Sequence, residues 1–340
     1  MQEKTYRPAQ NRESLYIRVL LISNAVMLIL VFLVFMLAWS RRTEDGQGID
    51  TSDIVSDTSD AAETTPGRPQ ENYIPVSGNL SQLMDTSRLD AGYAILVDLQ
   101  DNSVLSSYLA DTKIYPASMT KVMTILVAVE NITDLDARFT VTSDIINAAV
   151  EAGASRAGFV AGEDVSMLDL LYGAAVVSGA DATTSLAIAV AGSEEAFAEM
   201  MNERAESLGL TSTHFVNASG LHDDNHYSTV REIAAIMACA VNNRLVATLL
   251  SASSYTTTPN SKHGSGITFT SSVFKKGNNL TYGSLTLTAA KTGYTPEAGN
   301  CLASLATDAE GRRYILVTAG GSSRTKALED CAYAYAEFVG

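Results

Sequence analysis

Ser118 and Lys121 stand three positions apart, directly after Pro116 and at the start of an apolar stretch. In a helix this spacing places the serine hydroxyl and the lysine amine on one face. The partial positive charge of a helix N-terminus favours a developing oxyanion, and burial of Lys121 would lower its pKa because desolvation disfavours the ammonium form. The pair could therefore act as a nucleophile and its general base. A helix cap followed by a surface lysine has the same pattern, so the pair alone does not decide the function.

A second group, Lys291, Thr292 and Gly293, follows the strand-like run Leu285–Ala290. At the end of a strand these residues would offer a cation, a hydroxyl and, at the glycine, a backbone that a ligand can approach closely. Ordinary turns contain similar triplets, so this group is also weak when it is taken alone.

The two groups in one chain resemble the motif set of penicillin-binding proteins and serine β-lactamases. Further segments are similar to the low-molecular-mass D-alanyl-D-alanine carboxypeptidases, and the resemblance covers most of residues 90–340. These segments are Tyr115–Lys121, Leu170–Gly173, Ser178–Gly179, Leu208–Leu210, His214–Asn217, Ser219–Leu221 and His226–Thr229.

This resemblance implies a fold of the α/β (α+β) penicillin-binding protein and serine β-lactamase type. It also implies an acyl-enzyme on Ser118, with Lys121 as the base that takes the hydroxyl proton. By the same analogy Ser178 relays a proton to the leaving amine, and the backbone N–H groups of Ser118 and Tyr294 form the oxyanion hole. The implied substrates are peptidoglycan stem peptides that end in D-Ala-D-Ala, and the implied inhibitors are β-lactam antibiotics.

The carboxylate end of the substrate has its own implied site. By the resemblance, Lys291 and Thr292 hold the terminal carboxylate, Gly293 leaves room beside them, and Arg324 supplies a second cation. The resemblance implies no cofactor.

One departure from the family pattern lies at Ala180. The usual middle motif is Ser-X-Asn, whereas this chain has Ser178-Gly179-Ala180-Asp181. The hydrogen bonds that hold Lys121 and the peptide group of the substrate must then come from elsewhere, either from water or from Asp181. Capping of the following helix is the commoner role for an aspartate at such a position. We expect the activity to be reduced or differently selective.

Three functions fit these residues. The first is a D,D-carboxypeptidase that removes the terminal D-alanine. A β-lactamase would share the same serine and lysines, but the E-x-x-L-N-like element that usually assists its deacylation is absent between Ser178 and Lys291. A non-catalytic wall-binding or penicillin-sensing module is the third function, and Ala180 is its only support. The sequence leaves the balance between carboxypeptidase and transpeptidase open.

The elements that must position these residues follow from the hydrophobic pattern. Residues 92–99 and 104–110 predict a hairpin, and residues 118–132 predict a buried helix without internal glycine or proline. Strands at both ends of the region, with helices between them, predict an antiparallel sheet flanked by helices and an inserted helical subdomain. The remaining predicted helices are Ser166–Val177, Ala180–Ala191, Ser193–Leu208, Thr229–Asn242 and Thr325–Phe338, and the remaining strands are Leu285–Ala290, Asn300–Thr307 and Tyr314–Ala319.

Composition limits the classes of partner and cofactor. The 340 residues carry a formal net charge of −15, which argues against a nucleic-acid partner because a phosphate backbone needs a basic surface. Neither a disulfide framework nor a metal site is predicted from Cys239, Cys301 and Cys331, which are far apart and odd in number. The four histidines lack the H-E-x-x-H spacing of a zinc peptidase, and we expect hydrogen-bonding roles for His226 and for Asn217.

The N-terminal part predicts a membrane anchor. Residues 19–39 form an apolar run long enough to cross a bilayer, and the flanking basic residues favour a cytoplasmic segment 1–18. A cleaved signal peptide is the alternative, but the run is long for one and no A-x-A-like site follows it. Residues 40–72 are acidic and lack apolar periodicity, so they predict a disordered linker to a catalytic domain at residues 73–340. We therefore expect a single-pass protein of the bacterial cell membrane with its catalytic domain on the extracytoplasmic side.

Overall fold

A six-stranded antiparallel sheet forms the centre of the fold in the computed structural model, which describes residues 73–75, 83–275 and 280–339. The predicted cytoplasmic segment 1–18, anchor 19–39 and linker 40–72 lie outside the described residues. The strands of the sheet, in spatial order, are β2 (Ser103–Tyr108), β1 (Tyr93–Asp98), β10 (Arg313–Gly321), β9 (Gly299–Thr307), β8 (Leu285–Thr295) and β7 (Thr281–Tyr282). Two separate hairpins pair β3 (Arg138–Val141) with β4 (Glu163–Ser166) and β5 (Ser254–Thr256) with β6 (Thr268–Thr270).

The first and last strands of the described region complete one sheet. Strand β1 pairs antiparallel with β10, from Tyr93 opposite Ala319 to Asp98 opposite Tyr314. The predicted hairpin is present as β1 and β2, with its turn at residues 99–102. The prediction of a sheet built from sequence-distant strands is therefore confirmed.

Helices fill the sequence between these strands and follow it. They are α1 (Lys121–Asn131), α2 (Ser143–Glu151), α3 (Met167–Val176), α4 (Ala180–Ala191), α5 (Glu194–Ser207), α6 (Val230–Asn242), α7 (Arg244–Ser251) and α8 (Arg324–Phe338). Hydroxyl side chains set several of the starts: Ser166, Ser193 and Thr229 each accept the backbone N–H three residues ahead. The five predicted later helices match α3, α4, α5, α6 and α8 to within one residue at each end.

Two layers of helix cover the sheet. Helix α8 packs against β9 and β10 on one face, and α6 packs against β1 and β10. Helix α1 packs against α3, α4, α5, α6 and α7 and is buried from Lys121 to Val129. Its nearly continuous apolar sequence fits this central position, because a helix with apolar residues on all sides is stable only when it is surrounded.

Strand β8 differs from the prediction in its length. It continues through Lys291–Gly293 to Thr295, so the triplet lies inside the strand rather than beyond its end. Its partner β7 pairs only with Leu285 and Thr286, and among the described residues no strand covers the same edge farther along. The second half of β8 therefore offers an open strand edge beside the helical region.

Within the described ranges, no single helix has the length and apolar composition needed to cross a membrane. Helices α6 and α7 meet those criteria only when they are taken together, and a bend of 108° separates them.

Candidate active site

Ser118 lies in a short 3₁₀ turn, Ala117–Thr120, that leads directly into α1. The turn is closed by a hydrogen bond from the Met119 N–H to the Pro116 carbonyl, with 3.1 Å between nitrogen and oxygen. Ala117 has a φ of +46°, a left-handed conformation that is strained for a residue with a Cβ. The strained turn places Ser118 at the floor of a cleft of about 850 Å³.

Lys121 contacts Ser118 from the first turn of α1. Its Nζ lies 3.0 Å from Ser118 Oγ and donates a hydrogen bond to the Ser219 carbonyl. The side chain is buried, and this burial lowers the pKa of Lys121 to about 7, against the opposing attraction of Asp181 and Glu194. A large share of the amine is therefore unprotonated near neutral pH, and such an amine can accept the hydroxyl proton of Ser118.

The Ser219 carbonyl is a component of the site that sequence reasoning missed. It belongs to a turn at residues 217–221 that Asn217 organises: the Oδ1 atom of Asn217 accepts the N–H groups of Ser219 and Gly220, at 3.1 and 2.7 Å. Gly220 has a φ of +77°, and a Cβ there would lie 1.9 Å from the Ala117 carbonyl oxygen. The turn therefore packs directly on the strained residue before Ser118, and only glycine fits at this contact.

Lys291 and Ser178 form a second lysine–serine pair in the same cleft. Lys291 Nζ donates to Ser178 Oγ and to the Thr292 carbonyl, both at 2.9 Å. Burial lowers the pKa of Lys291 well below its usual value, and the nearby cations Lys121 and Arg324 lower it further. Ser178 has a φ of +60°, so this side of the cleft is also built on a strained backbone.

Gly293 brings strand β8 against the nucleophile. A Cβ on Gly293 would lie 2.9 Å from the Ser118 backbone nitrogen and 3.1 Å from the Pro116 carbonyl oxygen. The backbone on either side of Gly293 thus comes next to the Ser118 N–H, while the Tyr294 side chain is 60% exposed. Thr292, Gly293 and Tyr294 all line the cleft, as the resemblance implied.

Ala180 and Asp181 have separate positions and roles. Ala180 lines the cleft, and its N–H donates to the Ser155 carbonyl at 2.8 Å. Asp181 is fully buried and accepts the N–H groups of Ala157, Gly158 and Ala182, at 2.7, 3.1 and 3.0 Å. Its carboxylate therefore joins the start of α4 to the loop that forms one wall of the cleft. Of the two roles weighed for Asp181, the described hydrogen bonds fit a helix-terminal role, while its effect on Lys121 is electrostatic.

Arg324 is the first residue of α8 and lines the cleft with an exposed side chain. Its charge reaches Lys291 and contributes to the low pKa of that lysine. The structure thus brings all eight predicted residues to one cleft: Ser118, Lys121, Ser178, Lys291, Thr292, Gly293, Tyr294 and Arg324.

His226 supports the turn of the nucleophile from behind. Its Nε2 lies 2.7 Å from Thr120 Oγ1, and its Nδ1 accepts the Val216 N–H at 3.2 Å. Burial lowers the pKa of His226 to about 4, so the ring is neutral near pH 7 and its Nε2–H donates to Thr120. The predicted hydrogen-bonding roles of His226 and Asn217 are confirmed.

The sequence matches a known peptidase family and several curated proteins. The family described as D-alanyl-D-alanine carboxypeptidase matches residues 81–323. The D-alanyl-D-alanine carboxypeptidase of Streptomyces sp. strain K15 is 32% identical over 231 residues, which cover 66% of this chain and 78% of that protein. DacF of Bacillus subtilis is 35% identical over 148 residues, 43% of this chain, and DacC of Escherichia coli is 34% identical over 173 residues, 48% of this chain. These two matches span only 37% and 42% of the length of DacF and DacC.

Solved structures share the fold. A mutant of the Streptomyces K15 DD-transpeptidase superposes with a TM-score of 0.66 at 27% identity, covering 72% of this chain and 96% of that one. A D-alanyl-D-alanine carboxypeptidase of Mycobacterium tuberculosis superposes with a TM-score of 0.65 at 24% identity, covering 76% of this chain and 94% of that one. The predicted penicillin-binding protein and serine β-lactamase type of fold is confirmed.

Proposed function

Because the chain belongs to the D-alanyl-D-alanine carboxypeptidase family, we propose that it is a serine peptidase that removes the terminal D-alanine from peptidoglycan stem peptides. One observation carries the proposal: Ser118 and Lys121 lie 3.0 Å apart in the cleft that also holds the Lys291–Ser178 pair. A hydroxyl, a buried base and a second buried amine on opposite sides of one cleft are the parts that acyl transfer to a serine needs.

Acylation begins when Lys121 accepts the Ser118 proton and Ser118 Oγ attacks the carbonyl carbon between the two D-alanines. The N–H groups of Ser118 and Tyr294 stabilise the oxyanion that forms, because fixed donors need no reorganisation as the charge develops. The C–N bond then breaks, and Ser178 passes to the leaving amine the proton that Lys121 accepted from Ser118. An ester on Ser118 and free D-alanine result.

The free carboxylate of the substrate fixes its register in the cleft. Lys291, Thr292 and Arg324 hold that carboxylate, and its negative charge raises the proton affinity of Lys291 when it arrives. The peptide lies along the open edge of β8, where backbone groups of an extended chain can pair with the strand. Water then attacks the ester, and Lys121 again removes the proton from the nucleophile.

The acceptor of the acyl group defines a second candidate function. A solved structure that this chain covers to 96% of its length is called a DD-transpeptidase, so an amine of another stem peptide is a candidate acceptor beside water. β-Lactams acylate the same serine because they present a strained amide and a carboxylate in the same arrangement. We infer slow deacylation of that adduct.

The proposed substrate is consistent with a site of action outside the cell membrane. We propose that residues 19–39 anchor the chain in the bacterial cell membrane, that residues 40–72 link this anchor to the catalytic domain, and that the catalytic domain lies on the outer side, where peptidoglycan is found. Support for this arrangement comes from the apolar run and the acidic composition that follows it.

The test uses the full chain, a fluorescent penicillin and a peptide that ends in D-Ala-D-Ala, with and without an added amine acceptor. We expect stable labelling on Ser118 by peptide mass mapping, together with release of D-alanine. Ser118→Ala should lose both signals, while Ser143→Ala, at an exposed position at the start of α2, should keep them. Rapid drug turnover would point to a β-lactamase, new amide product to a transpeptidase, and labelling without alanine release to a penicillin-sensing module. An unlabelled Ser118 would overturn the proposal.

A further inference from the structure

Glu194, the first residue of α5, is a partly buried carboxylate outside the cleft lining. Its Oε1 accepts the Ala218 N–H at 3.0 Å and lies 3.5 Å from Thr184 Oγ1. Both groups donate to the carboxylate, so the contacts suit its ionised form. The mechanism above gives this side chain no role, although Ala218 is the residue next to the carbonyl that holds Lys121.

The Ala218–Ser219 segment is fixed from two sides. Thr124 Oγ1, on α1, donates to the Ala218 carbonyl at 2.7 Å, while Glu194 holds the Ala218 N–H from α5. The next carbonyl along the chain, that of Ser219, accepts from Lys121. Two helices, together with Asn217, therefore fix the position of the carbonyl that accepts from Lys121.

The position of that acceptor matters for proton transfer. A neutral amine has two N–H bonds and one lone pair, and one of the N–H groups donates a hydrogen bond to the Ser219 carbonyl. Rotation about the last side-chain bond is thereby restricted, and the lone pair can be directed at Ser118 Oγ, 3.0 Å away. When Lys121 takes the proton, a positive charge appears in a buried place that requires a nearby negative group.

We propose that Glu194 is a positioning residue for Lys121: it fixes the Ser219 carbonyl that orients the amine, and its negative charge stabilises the ammonium that forms during acylation. This inference rests on the proposed function, in which Lys121 is the base for Ser118.

The charged and titratable groups around Lys121 come from several elements. Asp181 on α4 and Glu194 on α5 raise its pKa, and desolvation opposes them. Lys291 on β8 and His226, in the segment before α6, are also within electrostatic reach. Burial raises the pKa of Glu194 itself, while the Ala218 N–H and Lys121 oppose that shift. Removal of the Glu194 charge should therefore lower the pKa of Lys121.

The experiment measures the rate of acylation by a fluorescent penicillin against pH in the full chain. Glu194→Gln keeps an oxygen acceptor for the Ala218 N–H but removes the charge. The acid limb of this pH–rate profile is the range in which the rate rises with pH as Lys121 loses its proton. Because the unprotonated amine is the active form, we expect the acid limb to move to lower pH by about 0.5 to 1 unit. This is the effect of one charge several ångströms away in a protein-like dielectric. The plateau rate should fall severalfold, since a weaker base accepts the proton less readily.

Two further variants separate charge from position. Glu195→Gln changes the adjacent, exposed carboxylate and should leave the limb where it is in the unaltered chain. Thr124→Val removes the hydroxyl that holds the Ala218 carbonyl without a change of charge, so the plateau should fall about tenfold while the limb stays, as expected for a misplaced group. Thermal unfolding establishes that each variant is folded.

The outcomes distinguish the inference from the function beneath it. A normal limb in Glu194→Gln, or an equal shift in Glu195→Gln, overturns the role of Glu194 and leaves the proposed peptidase intact. A limb that moves in Thr124→Val as it does in Glu194→Gln overturns the electrostatic part. If the unaltered chain acquires no label at any pH, the proposed function and this inference fail together.

Discussion

The two buried lysines of the cleft make similar contacts in opposite electrostatic surroundings. Lys121 contacts Ser118, Lys291 contacts Ser178, and each also donates to one backbone carbonyl. Desolvation lowers the pKa of both amines. The charged neighbours differ: two carboxylates attract a proton to Lys121, whereas the neighbours of Lys291 are cations.

This difference is the basis on which the proposed mechanism gives the two lysines different roles. Lys121 can hold a proton for the lifetime of an intermediate because carboxylates stand near it, as a general base requires. The charged neighbours of Lys291 are cations, and the carboxylate of the proposed substrate would bring a negative charge that complements them. In the proposed mechanism Lys121 therefore transfers protons, whereas Lys291 binds the carboxylate of the substrate.

The largest effect should come from Lys121→Met, which keeps the length of the side chain and removes the base. Acylation by penicillin and release of D-alanine should fall by about 10²- to 10⁴-fold, the usual contribution of a positioned general base. Lys326→Met, at an exposed position on α8, is the matched control and should retain full activity. A decrease of less than tenfold in Lys121→Met would mean that another group deprotonates Ser118.

Gly293→Ala tests the contact between strand β8 and the turn that carries Ser118. The added Cβ would stand 2.9 Å from the Ser118 nitrogen, so strand and turn must separate, and a displacement of that kind reduces the rate by about 10²-fold. Gly264→Ala is the control, because a Cβ there meets no heavy atom within 4 Å. Stopped-flow acylation and thermal unfolding of both variants would check the prediction, and equal behaviour of the two would refute it.

Lys291→Met should weaken binding more than chemistry. Loss of one charge-assisted hydrogen bond to the carboxylate corresponds to a rise in KM of about 10- to 100-fold. The same substitution should have little effect on a substrate whose C-terminus is an amide, since that substrate brings no charge for Lys291. An equal loss on both substrates would show that Lys291, like Lys121, takes part in proton transfer, and the distinction between the pairs would fail.

The pH dependence of stability offers a smaller test. In the folded chain the pKa of Lys121 is about 7, below its ordinary value of 10.5, so the unfolded chain binds the extra proton between these limits. The contribution of Lys121 to the free energy of unfolding therefore rises with pH between about 7 and 10.5, by at most about 1.4 kcal/mol per unit. Denaturant titrations at several pH values give the free energy of unfolding as a function of pH. Between about pH 7 and 10.5 this free energy should rise less steeply with pH in Lys121→Met than in the unaltered chain. An equal rise in both would contradict the buried neutral amine.

Residues whose signal is local could be predicted from the sequence. Ser118 and Lys121 are linked by one helical turn, and the apolar run after them could form only a buried helix. That strands from the two ends of the region share one sheet followed from the same patterns, because strands at each end need partners. The spatial order of the strands did not follow from them.

Residues whose role comes from the backbone escaped prediction. The Ser219 carbonyl is a backbone group, so no residue type in the sequence marks it. Its position depends on the turn at Asn217 and Gly220, which packs against Ala117, about a hundred residues earlier in the chain. The short α2 and α7 and the two small hairpins were also not predicted, since elements of this length are stabilised by tertiary packing rather than by their own pattern. The extension of β8 through Lys291 to Thr295 was hidden because a lysine and a glycine are poor strand formers.

Tyr294→Ala should have the smallest effect, and it sharpens the contrast with its neighbour Gly293. The Tyr294 side chain is 60% exposed, and the proposed mechanism uses only its backbone N–H, which the substitution retains. We expect acylation by penicillin to change by less than about threefold, in the range of surface substitutions within about 0.5 kcal/mol. If the ring instead closes over bound substrate, the D-Ala-D-Ala peptide would lose much more rate than the smaller penicillin does. Comparison of the two substrates therefore shows whether β8 acts at Tyr294 through its backbone alone or also through the exposed tyrosine ring.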